Sequence, residues 1–557
     1  MVDEFCECRE FRVVGPPGTG KTTWLARQAS HAVKIPDENP AVKYDAFAEE
    51  STNRPKAMVC SLTKAAAAEF RSRGVSMPPE DIGTLHAHAW RALGRPKLCV
   101  DAKTLGEWNE VCPQFRLSAG ANRDDGSGSA DSLPGDPLLE EYLLARSRML
   151  DRTLWPARIS EFAAQYETWK RASDLMDFSD VIHEAYTNCE NAPGNPETIL
   201  VDEAQDLDRS ELRLVRKWGK RAMTLVVVGD PDQAIYQWRG ADPEAFYESD
   251  LPPENCRVLA QSYRLPRAVH ARATRFIERI RGRPPVKYHP RDAEGVVLSY
   301  DSGLGAALVN EVIDHSRRYT DAGKTVMFLA ACEYMLVPLC AELRERGIPF
   351  WNPLARDRGL LNPLHPTNGR SCLERLLDYL RPSEEVHGEQ ARVWSARDLW
   401  SWVEVCEVRG WMKQGAKVQL QRAAKAQAQS SLSYEEIAAM MVDDKIPASV
   451  EELDTSFLHA HLLGARRKSM DYAIRIYERS GVEALREEPR IIVSTIHCAK
   501  GGEADCVYLS PELSPSGFDQ YDSRKPDAVI RQFYVGMTRA RETLILLSAR
   551  SQRCVEW

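Results

Sequence analysis

The chain has 557 residues, 43% of them hydrophobic and 28% charged, with a formal net charge of −8. This length exceeds what one hydrophobic core supports, so we predict about three to four domains. No apolar run approaches the ~20 residues of a membrane-spanning helix, and the acidic N-terminal residues differ from a secretory signal, so we expect no membrane contact. The 14 cysteines are scattered without paired C-x-x-C motifs, which predicts a reducing, cytoplasmic environment. The negative net charge excludes a uniformly basic nucleic-acid coat, although a local basic groove stays compatible with it.

The first predicted strand is the apolar run 11–14, and a helix is predicted over residues 22–33. The connection between them fits the pattern G-x-x-x-x-G-K-[ST]. Its residues are Gly15, Pro16, Pro17, Gly18, Thr19, Gly20, Lys21 and Thr22, followed by Thr23. The glycines let backbone N–H groups point at phosphate oxygens, Lys21 can reach the outer phosphates, and the Thr22 hydroxyl can bind Mg²⁺. A Gly/Pro turn followed by chance by Lys-Thr is the alternative, but the flanking strand and helix favour a site for a nucleoside triphosphate.

Further along the chain, strand signals alternate with helix signals in two blocks. Strands are predicted at 57–62, 81–86, 198–201 and 224–228, and then at 256–261, 295–300, 324–330, 490–494, 506–509 and 543–548. This order predicts an α/β protein with two parallel-sheet cores, each interrupted by a helical insertion subdomain. The predicted segments are 1–94 and 196–254 for the first core, 95–195 for its insertion, 255–350 and 489–557 for the second core, and 351–488 for its insertion.

Two adjacent carboxylates follow the predicted strand 198–201. One of them, Asp202, can hold Mg²⁺, and the next, Glu203, can accept a proton from an attacking water. Asp-Glu pairs are common on solvated loops, so the pair alone is weak evidence. A buried strand that leads into it, in a chain with a phosphate loop, favours a catalytic role.

Several segments form one joint pattern. They are Asp-Glu-Ala-Gln-Asp at 202–206, Val-Gly-Asp-Pro-Asp-Gln-Ala-Ile-Tyr-Gln-Trp-Arg-Gly-Ala at 228–241, 62–70, 83–86, 177–180, 261–264, 494–503 and 534–540. Together these segments resemble the UvrD/Rep-type superfamily-one DNA helicases. The resemblance covers roughly half the chain, and the joint match is far more specific than any single motif. It implies two RecA-like cores with a cleft between them that hydrolyses ATP with Mg²⁺ and drives 3′→5′ movement along single-stranded DNA.

The resemblance also implies roles for individual residues. Gln233 would sense the γ-phosphate, while Arg264 and Arg539 would act as arginine fingers from the second core. Tyr263 would offer a flat face to the base, and Glu503 an acceptor to a ribose hydroxyl. For Arg264 taken alone, a surface arginine is an equally good interpretation.

The DNA contacts implied by the resemblance are Thr63, His86, Tyr236, Trp238, Arg239, Thr495 and His497. Aromatic faces stack on unpaired bases of any sequence, which suits Tyr236 and Trp238. Trp residues are usually part of a core, but the polar neighbours of Trp238 favour its exposure. A run of basic residues from Arg264 to Lys287 either lines a DNA path or forms a solvated face. Trp394, Trp400, Trp402 and Trp411 are interpreted as core residues, with a partner-binding face as the alternative.

The sequence also departs from the family pattern. Only about ten residues precede the first strand, and none of them is the Gln that reads adenine in the family, so we expect weaker discrimination among nucleotides. The expected partners are single-stranded DNA, single-strand/duplex junctions, and unspecified repair, replication or nuclease proteins. A translocase that does not separate strands is the alternative motor, and a non-catalytic DNA-binding scaffold is the alternative of another class. Intact Lys21, Asp202 and Glu203 argue against the scaffold.

Overall fold

The computed structural model describes residues 9–34, 57–61, 70, 75, 77–99, 101–118, 133–354, 359–364, 370–426, 431–442 and 455–557. The predicted DNA contact Thr63 lies outside these residues. Within the described residues, no helix is long and apolar enough to cross a membrane.

The first sheet contains six parallel strands in the order β3-β2-β4-β5-β1-β6. The strands are β1 Arg9–Val14, β2 Ala57–Ser61, β3 Ile82–Thr84, β4 Thr198–Val201, β5 Thr224–Gly229 and β6 Cys256–Val258. The central strands β2, β4 and β5 are almost wholly buried, as expected for a parallel sheet covered by helices on both faces. Because parallel strands end at the same edge, the loops after β1 and β4 come together there.

The second sheet also contains six parallel strands, in the order β7-β12-β11-β8-β10-β9. These strands are β7 Val296–Tyr300, β8 Val326–Ala330, β9 Phe350–Trp351, β10 Ile491–Thr495, β11 Ala504–Leu509 and β12 Ala540–Leu547. The predicted fold class, two α/β cores with parallel sheets and helical insertions, is therefore confirmed.

The α-helices surround these sheets and build the two insertions. In the first part of the chain they are α1 Lys21–Lys34, α2 Leu85–Ala92, α3 Ala102–Val111, α4 Asp136–Ser147, α5 Ala157–Ala172, α6 Phe178–Asn188, α7 Arg209–Gly219 and α8 Arg267–Ile277. They continue with α9 Val309–Thr320, α10 Val337–Glu345, α11 Cys372–Tyr379, α12 Glu384–His387, α13 Ala396–Val403, α14 Ala416–Lys425, α15 Tyr434–Met440, α16 Thr455–His461, α17 Gly464–Ser480, α18 Glu483–Arg486, α19 Pro515–Tyr521 and α20 Asp527–Met537.

The chain forms two compact units, and neither is one continuous segment. The first comprises residues 1–295 and 520–538, and the second comprises 296–519 and 539–557. Strand β6, which the sequence pattern assigned to the second core, pairs with β1 at the edge of the first sheet. That assignment was wrong because a short apolar run does not specify the strand with which it pairs.

Aromatic side chains fill the core of the second helical insertion. Trp394, Trp402 and Trp411 are buried in the same hydrophobic cluster as Tyr379, and Trp400 packs against that cluster. The rings of Trp402 and Trp411 are stacked with centroids 5.9 Å apart. The core interpretation of these tryptophans is therefore confirmed.

Candidate functional site

The loop from Gly15 to Gly20 joins β1 to α1, as the glycine pattern predicts. Gly18 has φ of 73° and Gly20 has φ of 76°, values that favour glycine. The Gly15 N–H donates to the Gly229 carbonyl of β5 at 2.9 Å, and the Thr19 hydroxyl donates to the Pro16 carbonyl at 2.8 Å. The bent loop therefore stands at the N-terminus of a 14-residue helix, where the helix dipole favours an anion.

Lys21, the first residue of α1, lies across this loop. Its Nζ atom donates to the Gly15 carbonyl at 2.9 Å and lies 3.8 Å from Glu203 Oε1. The side chain is nearly buried, so its charge acts through little intervening water. A cation is thus fixed between the loop and the carboxylates after β4.

Asp202 and Thr22 present oxygen atoms to each other beside the loop. The Thr22 hydroxyl donates to Asp202 Oδ2 at 2.9 Å, and Asp202 is buried. Burial and the adjacent Glu203 raise the pKa of Asp202 to about 6, while Lys21 acts in the opposite direction. Among the described residues no group of three or more His, Cys, Asp and Glu side chains could hold a metal ion. One carboxylate and one hydroxyl fit Mg²⁺, which keeps several waters and binds substrate phosphates.

Glu203 adopts an unusual backbone conformation for a residue with a side chain. Its φ is 52°, in the left-handed region, which costs of order 1 kcal/mol or more and is common at functional sites. Its Oε2 atom accepts a hydrogen bond of 2.5 Å from the Gln205 amide. The carboxylate is therefore held from one side by Gln205 and faces Lys21 on the other.

Gln205 connects Glu203 to the loop after β5. Its Oε1 atom accepts from the Asp230 backbone N–H at 2.8 Å, and Asp230 Oδ2 accepts from the Gln233 amide at 2.6 Å. A Cβ atom added to Gly229 would lie 2.6 Å from Gln205 Oε1 and 3.1 Å from the Gln205 backbone N, so a larger residue there would displace the Gln205 side chain. The sequence reasoning gave Gln205 no role, although its place two residues after Glu203 was a usable signal.

The segment that carries Arg264 packs directly on the phosphate loop. The Ser262 hydroxyl donates to the Pro17 carbonyl, and the Tyr263 N–H donates to the Gly18 carbonyl, both at 2.8 Å. A Cβ atom on Gly18 would lie 2.4 Å from Arg264 Cβ. Tyr263 is 74% exposed, which leaves its ring face available to a ligand.

The remaining predicted nucleotide ligands and two predicted DNA contacts lie in the second unit. Arg539 is buried and donates to the Gly502 carbonyl at 3.2 Å, while Glu503 pairs with Arg541 at 3.3 Å. Thr495 is buried at the end of β10, and His497 is half-buried in the turn that follows.

Tyr236, Trp238 and Arg239 follow Gln233 in the first unit. Trp238 is 44% exposed, and its ring centroid lies 6.4 Å from that of Tyr236. Two aromatic faces next to a half-buried arginine can stack on bases and contact a phosphate.

His86, another predicted contact, is engaged by protein groups. Its Nδ1 lies 3.4 Å from Glu211 Oε1, and its ring packs edge-on against the exposed Phe178 at 5.6 Å. Phe178 lies within a segment that the sequence analysis singled out, but it had no predicted role.

Comparison with known proteins finds two parts of the chain that match domains of one helicase family. Residues 140–251 match the UvrD/REP helicase N-terminal domain, and residues 473–551 match the UvrD-like helicase C-terminal domain. The resemblance to UvrD/Rep-type helicases is therefore confirmed. Both matched regions include motifs described above, among them 202–206, 228–241 and 494–503.

Individual relatives match parts of the chain that are 154 to 315 residues long. The protein named ATP-dependent DNA helicase PcrA in Bacillus subtilis (strain 168) is 32% identical over 154 residues, which cover 26% of this chain and 21% of that protein. The one in Leuconostoc citreum is 24% identical over 315 residues, 52% of this chain and 40% of its own length. The one in Staphylococcus aureus (strain Mu50) is 28% identical over 166 residues, 27% of this chain and 23% of its own length. The matches therefore span less than half the length of these relatives.

Proposed function

We propose that this chain is an ATP-dependent DNA helicase that moves 3′→5′ along single-stranded DNA and opens single-strand/duplex junctions. The observation that carries the proposal is the convergence of Lys21, Glu203 and Arg264 on one phosphate loop. The relatives are named ATP-dependent DNA helicase PcrA, which supports the same activity. The 3′→5′ direction rests on the family resemblance.

The residues around the loop supply the chemistry of hydrolysis. Lys21 and the backbone N–H groups of the loop bind the triphosphate, and Glu203 accepts the proton of the attacking water. Thr22 and Asp202 would hold Mg²⁺, which neutralises phosphate charge when bound. Gln205 keeps the Glu203 carboxylate in place through its 2.5 Å hydrogen bond.

Further residues complete the assignment. Arg264 beside Gly18 stabilises charge on the phosphates, because a guanidinium keeps its charge and presents a rigid set of donors. We assign the same role to Arg539, a ribose contact to Glu503 and a base contact to Tyr263 from the family resemblance. Gln233, five residues before Trp238, links the state of the nucleotide to the strand-binding segment.

Hydrolysis tests the nucleotide half of the proposal. Lys21→Ala should lower the rate of ATP hydrolysis by about 10²–10³-fold, because a preorganised cation is lost. Glu203→Gln should lower it by about 10²–10⁴-fold with nucleotide affinity retained, because the amide cannot take up the proton. Lys220→Ala, which removes an exposed lysine of the same unit, is the control and should match the wild type. Undiminished hydrolysis by Glu203→Gln would contradict the assigned base.

Binding of single-stranded DNA tests the DNA part of the proposal. Trp238→Ala should weaken single-stranded DNA binding by about 1–3 kcal/mol, or about 5–150-fold in Kd, since one stacking face is lost. DNA-independent hydrolysis should persist, because the nucleotide site is unchanged. Movement along DNA should be lost, because the contact with the strand is weakened. Tyr434→Ala, which removes another exposed ring, is the control. Unwinding of forked duplexes with 3′ or 5′ tails, measured beside translocation on single strands, separates a helicase from a translocase that does not part strands.

A further inference from the structure

Arg283 forms a buried ion pair with Asp232. Its Nε atom donates to Asp232 Oδ1 and its Nη2 atom to Oδ2, both at 2.6 Å. The two side chains are 11% and 8% exposed. Arg283 belongs to the basic run that the sequence analysis interpreted as a DNA path or a solvated face, and this pairing fits neither interpretation. A two-pronged pair fixes both the distance and the orientation of its partners.

Asp232 lies in the short loop that carries Gln233. The Asp232 N–H donates to Asp230 Oδ1 at 3.2 Å, and the Gln233 amide donates to Asp230 Oδ2 at 2.6 Å. Arg283 thus holds the outer side of the turn at 231–233, while Gln205 holds its inner side through Asp230. Tyr236 and Trp238 follow four and six residues after Asp232.

Other groups of the first unit enclose the pair. Helix α20 packs against both α8 and the turn at 231–233. Burial lowers the pKa of Arg531 on α20, and the nearby Asp232 carboxylate acts in the opposite direction. The hydroxyls of Tyr288 and Tyr534 are hydrogen-bonded to each other at 3.1 Å. Arg283 therefore ties the turn to a wall made of the 283–288 segment and α20.

A buried ion pair is a costly way to gain stability, because desolvation offsets much of the attraction. What such a pair supplies more effectively is a single geometry. We propose that Arg283 is a positioning residue that fixes the turn at 231–233, so that Gln233 and the Tyr236–Trp238 segment move together when nucleotide is hydrolysed. The expected effect on hydrolysis rests on the proposed function. The ordering of the turn at 231–233 by Arg283 does not, and it can be tested on the protein without nucleotide.

Hydrogen exchange of the nucleotide-free full-length protein tests the structural part. Arg283→Gln should speed exchange of the backbone amides at 233–239 by about tenfold or more, since the turn loses its outer anchor. Exchange in β4 and β5 should stay unchanged. Arg281→Gln, which removes an exposed arginine two residues away, should match the wild type, and Arg283→Lys should show an intermediate rate because it keeps the charge but loses the fork.

Kinetics test the consequence. In Arg283→Gln the DNA-stimulated kcat should fall about tenfold or more while KM for ATP changes less than about twofold. If exchange rises evenly across the unit, or if kcat falls without faster exchange at 233–239, the positioning role is overturned. If Arg283→Gln does not fold, the pair Asp232→Asn/Arg283→Gln, which leaves no lone buried charge, takes its place with the same expectations. Absence of hydrolysis by the wild type would instead refute the proposed function, and the exchange result would still decide the inference.

Discussion

His88 is a buried histidine on α2 whose protonation state is set by two neighbours. Its Nε2 atom lies 3.0 Å from the Val59 carbonyl, and its Nδ1 atom lies 2.6 Å from an Arg91 guanidinium nitrogen. Because a guanidinium only donates, Nδ1 accepts and Nε2 carries the proton. Burial, assisted by the charge of Arg91, lowers the pKa of His88 from 6.5 to about 4, against the opposing effect of the Val59 hydrogen bond.

The lowered pKa of His88 predicts a pH-dependent stability. The unfolded chain takes up this proton first as the pH falls, so the contribution of neutral His88 is complete above about pH 6.5 and is lost toward pH 4. Between pH ~7.5 and ~5 the wild type should lose about 2 kcal/mol of unfolding free energy through this residue. His88→Gln should lower stability at neutral pH but remove this part of the pH dependence, as measured by urea unfolding at both pH values. His183→Gln, at an exposed position, should keep the wild-type slope, and a full slope in His88→Gln would contradict the assignment.

At the scale of elements, local patterns predicted the phosphate loop and most strands. The strand, loop and helix around Gly15–Thr22 are determined by residues close to each other in sequence, so the sequence pattern alone predicts them. Strand β6, in contrast, joined the other sheet. This outcome depends on long-range pairing, because Arg12 of β1 lies beside Cys256 of β6.

Ion pairs between residues that are distant in sequence could not be predicted, because local patterns do not show which residues meet in the fold. Lys170 near the end of α5 donates hydrogen bonds to Asp177 and, at 2.5 Å, to Asp180, the two residues of the α6 capping box. Arg146 of α4 forms an ion pair with the same Asp180. In the sequence these residues are indistinguishable from charges on a solvated helix face. Arg283 is another such residue, because its partner Asp232 lies 51 residues earlier in the chain. Burial is a property of how elements pack, so buried ion pairs become visible only in three dimensions.

At the scale of the whole molecule, the chain passes between the two units three times, at residues 295–296, 519–520 and 538–539. The first unit therefore depends on α20, which comes more than 200 residues after its other elements. The buried face of α20 includes Phe533, Tyr534 and Met537. Within the same unit Arg264 donates to the Thr538 carbonyl at 3.5 Å, so the end of α20 also borders the phosphate-loop segment.

This arrangement predicts that residues 1–295 alone are an incomplete unit. Without α20, the surfaces of α8 and of the turn at 231–233 that it covers become exposed, and burial of each large apolar side chain is worth roughly 1.5–3 kcal/mol. The fragment 1–295 should therefore melt at a lower temperature than the full chain. A peptide of residues 520–538 added in trans should raise the Tm of the fragment in a concentration-dependent way, by mass action. The same peptide with Phe533→Ser and Tyr534→Ser is the control and should have little effect, because the packing face is lost while length and charge are kept. If the fragment melts like the full chain, or if both peptides act equally, α20 is not an integral part of the first unit.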